Sequence, residues 1–118
     1  MSSRENCLFC KIIAGAIPSE KVYQDDVCVA IKDISPQAPT HLLVIPRDHF
    51  DSLDKADANR HKETLGHVLL TCARLAREKG FAENGYRTVI NTNADGGQTV
   101  FHLHVHLLAG RPFVFPPG

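Results

Sequence analysis

Apolar residues recur at Leu65, Val68, Leu69, Cys72, Leu75 and Ala76, the i, i+3, i+4, i+7 spacing of a single helical stripe. Arg74, Arg77 and Lys79 place cations near the end of that segment, where the helix dipole favours them, and Gly80 supplies a stop. The pattern predicts one long helix covering a sheet. A shorter helical start over Phe9 to Ile13 is stopped by Gly15 and Pro18. Lys21 to Tyr23 and Val27 to Lys32 flank the turn-forming Gln24-Asp25-Asp26 and predict a β-hairpin. Two prolines make Ser35 to Pro39 a loop. His41 to Ile45 then predicts a buried strand ended by Pro46.

Past the long helix, Tyr86 to Asn91 is rich in strand formers, Asn93 to Gly97 is a loop, and Val100 to Leu108 alternates as a second strand. The last stretch, Arg111 to Gly118, carries three prolines and is expected to be irregular. Sequential strands around one long helix predict an α+β fold with an antiparallel sheet. There is no repeat or linker, so one domain over residues 1–118 is expected.

Composition narrows the function classes. The chain has 118 residues, 43% of them hydrophobic, with 13 basic and 13 acidic side chains and zero formal net charge. That balance argues against attachment to nucleic acid or an anionic membrane through bulk charge, while leaving room for one nucleotide. No apolar run approaches the roughly 18 residues of a membrane span. The polar start, Met1 to Asn6, lacks the apolar stretch of a secretion signal, so a cytoplasmic location is expected. In that setting the four cysteines read as thiols or metal ligands. Cys28 and Cys72 lie in apolar patterns and are expected in the core.

The strongest chemical signal is His102-Leu103-His104-Val105-His106-Leu107-Leu108. On a strand the three histidines share one face at about 6–7 Å spacing, with Leu103, Val105 and Leu107 on the other. A single strand histidine is ordinarily structural; three on one face are harder to explain that way, because charged imidazoles repel. Such a face can ligate zinc, or one imidazole can be a nucleophile or base that its neighbours orient. Just upstream, Gly96-Gly97-Gln98-Thr99 offers a tight turn whose amides and side chains can meet an anion. Most Gly-Gly loops are plain turns; this one matters because it leads into the histidines.

Cys7-Leu8-Phe9-Cys10 is a redox pair, half of a zinc site, or chance. The redox reading lacks its usual βαβ setting. The zinc reading needs two more ligands, for which His49 and His102 are the candidates, giving a closed and therefore structural site. Asp33, at a strand end, is an ordinary turn aspartate or an acceptor for ribose hydroxyls. His41 by itself says little.

Together these residues resemble the histidine-triad (HIT) family and its Hint branch of purine nucleoside phosphoramidases. The signature His-φ-His-φ-His-φ-φ, with φ apolar, matches residues 102–108 in full. The likeness extends through Phe9-Cys10-Lys11-Ile12-Ile13, Tyr23-Gln24-Asp25-Asp26, the segment from Asp33 to His41, Val44-Ile45-Pro46, Gly85-Tyr86-Arg87, Asp95-Gly96-Gly97-Gln98 and the ending Pro116-Pro117-Gly118. The resemblance implies an antiparallel sheet with one long and one short helix, and a homodimer whose sheets join into one larger sheet. It implies His104 as nucleophile toward the α-phosphorus of a nucleoside 5′-phosphoramidate, oriented by the carbonyl of His102. His106 would contact phosphate and protonate the leaving group, with His41 as its relay partner. Gly97, Gln98 and Thr99 match the phosphate loop. Asp33 matches the ribose acid, with Phe9, Ile31, Ile34 and Asn91 around base and sugar. It implies no catalytic cofactor. Where zinc occurs in such relatives, the ligands correspond to Cys7, Cys10, His49 and His102. Thr99 replaces a common serine and Phe115 a common tryptophan, positions the resemblance ties to leaving-group preference and to the partner subunit's site. The competing readings are a dinucleoside polyphosphate hydrolase of another HIT branch and a non-catalytic nucleotide-binding module.

Overall fold

A computed structural model describes residues 6–118; residues 1–5, most of the polar start read for a secretion signal, lie outside the described residues. The chain forms α1 (Leu8–Ile13), β1 (Lys21–Gln24), β2 (Cys28–Lys32), β3 (Thr40–Pro46), α2 (Lys62–Glu78), β4 (Arg87–Val89) and β5 (Val105–Ala109), with a 3-10 turn at Leu53–Lys55. The strands make one antiparallel sheet in the order β1-β2-β3-β5-β4. The expected α+β architecture with one long and one short helix is therefore present. Among the described residues no helix is long and apolar enough to cross a membrane.

Alternation along β2, β3 and β5 feeds two cores. Cys28, Ala30, Leu42, Val44, Val105 and Leu107 pack with Val68, Cys72 and Leu75 of α2. Val29, Ile31, Leu43 and Ile45 point the other way and pack with Cys7, Phe9 and Ile12 of the α1 segment. Both faces of the sheet are covered, so the strands are buried on each side. Cys28 and Cys72 sit in the α2 core as expected; burial raises their thiols to about 11 and about 12, which leaves them protonated and inert.

Two elements differ from the sequence pattern. The last strand begins at Val105, not Val100. Its partner β3 ends at Pro46, and Val44↔Val105 is the final pair of the ladder. Upstream of it, Leu103 N–H donates to the Phe50 carbonyl at 2.9 Å, so this segment is tied to a loop, not to a strand. On α2, Leu69 is 43% exposed and Leu65 half-buried, while Thr71 is buried. The Thr71 hydroxyl donates to the His67 carbonyl at 2.8 Å, which removes the penalty of burying it.

The hairpin is fastened to α2 through Asp25. Its Oδ1 accepts from the amides of Val27 and Cys28, both at 2.8 Å. Its Oδ2 accepts from the Tyr23 hydroxyl at 2.7 Å and lies 2.7 Å from His67 Nε2. Burial works against the charge, but the bonds from Tyr23, Cys28, His67 and Val27 outweigh it and hold this carboxyl well below the usual carboxylate range. The stability it contributes is present above the unfolded value near 4 and is lost as pH falls below it. Asp25→Asn is expected to cost about 2–4 kcal/mol at pH 7. That difference from the parent should shrink as denaturant unfolding is repeated at lower pH, below about 4.

Candidate active site and thiol–imidazole cluster

Alternate residues of three neighbouring strands build the candidate site. Ile31 on β2 and Asp33 just beyond it, His41 and Leu43 on β3, and His106 on β5 share the α1 face; Leu43 stands opposite His106 in the ladder. His104, on the irregular segment before β5, keeps the same side and meets Phe9 edge-on at 4.9 Å between ring centroids. Together with α1 they line a cavity of about 370 Å³ that includes Phe9, Ile31, Asp33, Thr99, His104 and His106, within the range of small-molecule sites. A second hollow of about 540 Å³, around Phe81, Asn84 and Arg111, is lined by no histidine, cysteine or carboxylate. Of these two cavities, only the first gathers imidazole and carboxylate groups.

Main-chain groups fix the tautomers. Burial lowers the affinity of His104, His41 and His106 for a second proton; His106 falls to about 4, with the neighbouring His104 and His41 adding to the effect. All three rings are thus neutral near pH 7. His104 Nδ1 lies 2.7 Å from the His102 carbonyl, which can only accept. The proton sits on Nδ1, and Nε2 keeps its lone pair. In the second series the Gln37 amide donates to His41 Nδ1 at 3.0 Å. His41 must then carry its proton on Nε2, which lies 2.8 Å from His106 Nδ1. His106 in turn carries its proton on Nε2, an atom that is buried and, among the described residues, without a partner. A lone pair on His104 and an N–H on His106, on rings 5.2 Å apart that both line the cavity, are groups of the kind that can serve one ligand as nucleophile and acid.

Sequence-predicted residues divide clearly. Phe9, Ile31, Asp33, Ile34, Thr99, His104 and His106 line the cavity, with Ile34 at its rim and 98% exposed. His41 stands behind His106. Asn91, Gly97 and Gln98 lie outside the lining. The Gly97 and Gln98 amides are not aimed at an anion; they donate to the Ala94 and Asn93 carbonyls within the turn, each at 3.0 Å. The Gln98 side chain is committed too: its Oε1 accepts from Asn93 N–H, and its Nε2 donates to the carbonyls of Asp51 and Val100. Gln98 shapes the loop that presents Thr99. Gly96 is required there because a Cβ would overlap the Thr92 backbone. The apolar wall supplied by Leu8, Ile12, Ile17 and Pro18 was missed from sequence; the Phe9/Ile12 spacing was its one available signal.

Behind His104, Cys7, Cys10, His49 and His102 converge, with their donor atoms all within 4.8 Å of one another. Cys7 Sγ–His102 Nδ1 is 3.3 Å, Cys10 Sγ–His49 Nδ1 3.3 Å and His49 Nδ1–His102 Nδ1 3.1 Å. The edges of a tetrahedral zinc site with these ligands are about 3.3–3.8 Å, so the donor set fits. Each imidazole is also oriented from outside: His102 Nε2 lies 2.7 Å from the Pro46 carbonyl, and His49 Nε2 lies 3.0 Å from Asp51 Oδ1. Both rings thereby turn Nδ1 toward the thiols, the arrangement of metal-ligating histidines. Burial pushes His102 down to about 4, so it is neutral and able to ligate.

Residues 14–113 match the model of the HIT domain. The chain is 53% identical over 114 residues to an uncharacterized HIT-like protein of Synechococcus elongatus, covering 97% of this chain and 98% of that one. It is 49% identical over 108 residues to the purine nucleoside phosphoramidase of Escherichia coli, covering 92% and 90%. Among solved structures it is similar to a HIT family hydrolase from Legionella pneumophila, with a TM-score of 0.93, 47% identity, and coverage of 96% of this chain and 100% of that one.

Proposed function

Because this chain belongs to the HIT-domain family, whose relatives include a hydrolase and a purine nucleoside phosphoramidase, we propose that it is a nucleotide hydrolase that cleaves the P–N bond of purine nucleoside 5′-phosphoramidates through a nucleotidyl intermediate on His104. One observation carries the reading: the His102 carbonyl holds the proton of His104 on Nδ1, leaving a lone pair on Nε2 of a ring that lines the cavity together with His106, whose buried Nε2–H has no partner among the described residues.

In the first half-reaction His104 Nε2 bonds to the α-phosphorus, the P–N bond breaks, and the amine leaves with the proton of His106 Nε2. The His104 ring gains one positive charge, and the neutral His106–His41 pair, having given its proton to the amine, is left with one negative charge, so the net charge of the site is unchanged until water returns the proton. In the second half-reaction water attacks phosphorus, returns a proton to His106, and expels His104 as a neutral imidazole. The products are a nucleoside monophosphate and an amine. Asp33 would accept from the ribose hydroxyls, Phe9, Ile31 and Ile34 would bracket base and sugar, and the Thr99 hydroxyl would donate to phosphate. Gly97 and Gln98 contribute by shaping that loop, and Asn91 is outside the cavity lining. Adenosine and guanosine both suit so apolar a base pocket. No step requires a catalytic cofactor.

Cys7, Cys10, His49 and His102 would hold one zinc ion with all four positions filled by protein, a closed and structural site. We take the whole chain as a single HIT domain and a homodimer. The outer edge of β4, the last strand of the sheet, and the exposed Leu69 and Leu70 of α2 would meet a second copy and extend the sheet; a sedimentation mass of one chain would rule this out. The covalent step is tested by quenching an early reaction with adenosine 5′-phosphoramidate in alkaline denaturant, where a phosphorus–imidazole bond survives, followed by peptide mass mapping. An adenylyl group on the peptide bearing His104 is expected. Full turnover without any transient adduct would favour direct attack by water.

A further inference from the structure

We propose that Arg111, in the tail beyond β5, is a positioning residue that fixes the proton on His106 by clamping the main chain at Gln37. The inference rests on the phosphoramidase reading for its kinetic consequence, but its structural half stands apart from it.

The connection runs through five groups. Arg111 Nη2 donates to the Gln37 carbonyl at 3.1 Å, while Nη1 donates to the Pro112 carbonyl at 3.0 Å. The guanidinium stacks over Phe113, 4.3 Å from the ring centroid, which restricts its freedom. The amide of the same residue, Gln37, donates to His41 Nδ1 at 3.0 Å, and His41 passes its Nε2–H toward His106 Nδ1 at 2.8 Å. An N–H can only donate, so Gln37 permits one tautomer of His41, and His41 permits one tautomer of His106.

The loop carrying Gln37 is shaped at its near end by the site itself: Ser35 N–H donates to Asp33 Oδ1 at 2.8 Å, and Gln37 Nε2 donates to the Ser35 carbonyl at 2.9 Å. At its far end it is held by the tail. Gly110 has φ +98, and a Cβ there would come within 2.8 Å of Pro39 Cβ, so the chain beyond β5 lies directly against the loop. Arg111 follows in that close approach and supplies its hydrogen bond. Without this bond the 37–38 peptide that carries the Gln37 carbonyl is released, the adjoining 36–37 amide that donates to His41 can tilt with it, and His41 can exchange its proton between the two ring nitrogens. His106 would then present a lone pair to the leaving nitrogen in a fraction of molecules, with nothing to donate.

Such a defect affects departures that need a proton and spares those that do not. Arg111→Met keeps the length of the side chain and removes the donor. Its kcat on an adenosine phosphoramidate of an alkylamine should fall in proportion to the fraction of His106 lost to the other tautomer, about threefold or more, with KM unchanged. Its kcat on the p-nitrophenyl ester of adenosine 5′-monophosphate, whose leaving group departs unprotonated, should change less than about twofold. Arg111→Lys, which retains an N–H for the Gln37 carbonyl, should recover most of the loss. Nitrogen-15 imidazole spectra should show His41 and His106 wholly as Nε2–H tautomers in the parent and as mixtures in Arg111→Met. Equal losses on both substrates, or unchanged tautomers in Arg111→Met, would overturn the proposal. A parent protein inactive on both substrates would remove the phosphoramidase reading, and the spectra would still decide whether Arg111 sets the tautomer.

Discussion

His104→Ala is expected to lower kcat on adenosine 5′-phosphoramidate by at least about 10⁴-fold, because a covalent route does not survive loss of its nucleophile. Adenosine 5′-monophosphate should still bind the variant within a few-fold of the parent. Apolar walls, Asp33 and the Thr99 loop make most of the cavity, and of these Phe9 is the one that packs against the imidazole. His104→Asn separates chemistry from packing. It fills more of the space against Phe9 and keeps a side-chain N–H for the His102 carbonyl, yet offers phosphorus no basic nitrogen. Both variants should be equally inactive in steady-state assays and should leave no adduct on alkaline quench. Turnover surviving in either would return His104 to a binding role. Ligand binding lost together with turnover would mean that the ring supports the pocket.

That expectation was legible in the sequence to an uneven degree. His-φ-His-φ-His already implied alternating sides, and the sides are kept although His102 and His104 precede the ladder. What the spacing could not convey was which nitrogen of each ring is protonated. Carbonyls and amides decide this, and every residue has those: His102 O for His104, Gln37 N for His41. The same blindness explains Gln98. Its side chain looked like a ligand donor beside two glycines, but it is spent closing the turn on Asn93 and reaching Asp51. On α2 the apolar stripe included Leu69 because hydropathy cannot tell an apolar residue facing the sheet from one facing outward. Thr71 was passed over because its self-satisfied hydroxyl is a tertiary detail.

The cysteine–histidine cluster carries the other large effect. Its four donors come from residues 7, 10, 49 and 102, so only the folded chain assembles them. An ion that binds the folded state and not the unfolded one stabilises by its binding free energy, and structural zinc sites in peptides reach about 10–16 kcal/mol. This domain has two cores of its own, so the share that reports on folding should be smaller: about 4 kcal/mol or more lost on metal removal, a melting point lower by about 10 °C or more. Protein purified without chelator should contain one zinc ion per chain, and Cys7→Ala should contain none and melt as the chelated parent does. Turnover measured well below the transition should nonetheless resist chelation within about twofold. His102 Nε2–H donates to the Pro46 carbonyl through the ring nitrogen that faces away from the thiols, a bond that needs no metal, so the carbonyl that orients His104 is expected to stay in place. A chain that purifies without zinc and melts unchanged in chelator would remove the metal reading. A chain that stays folded in chelator but stops turning over would move the metal from the scaffold into the chemistry.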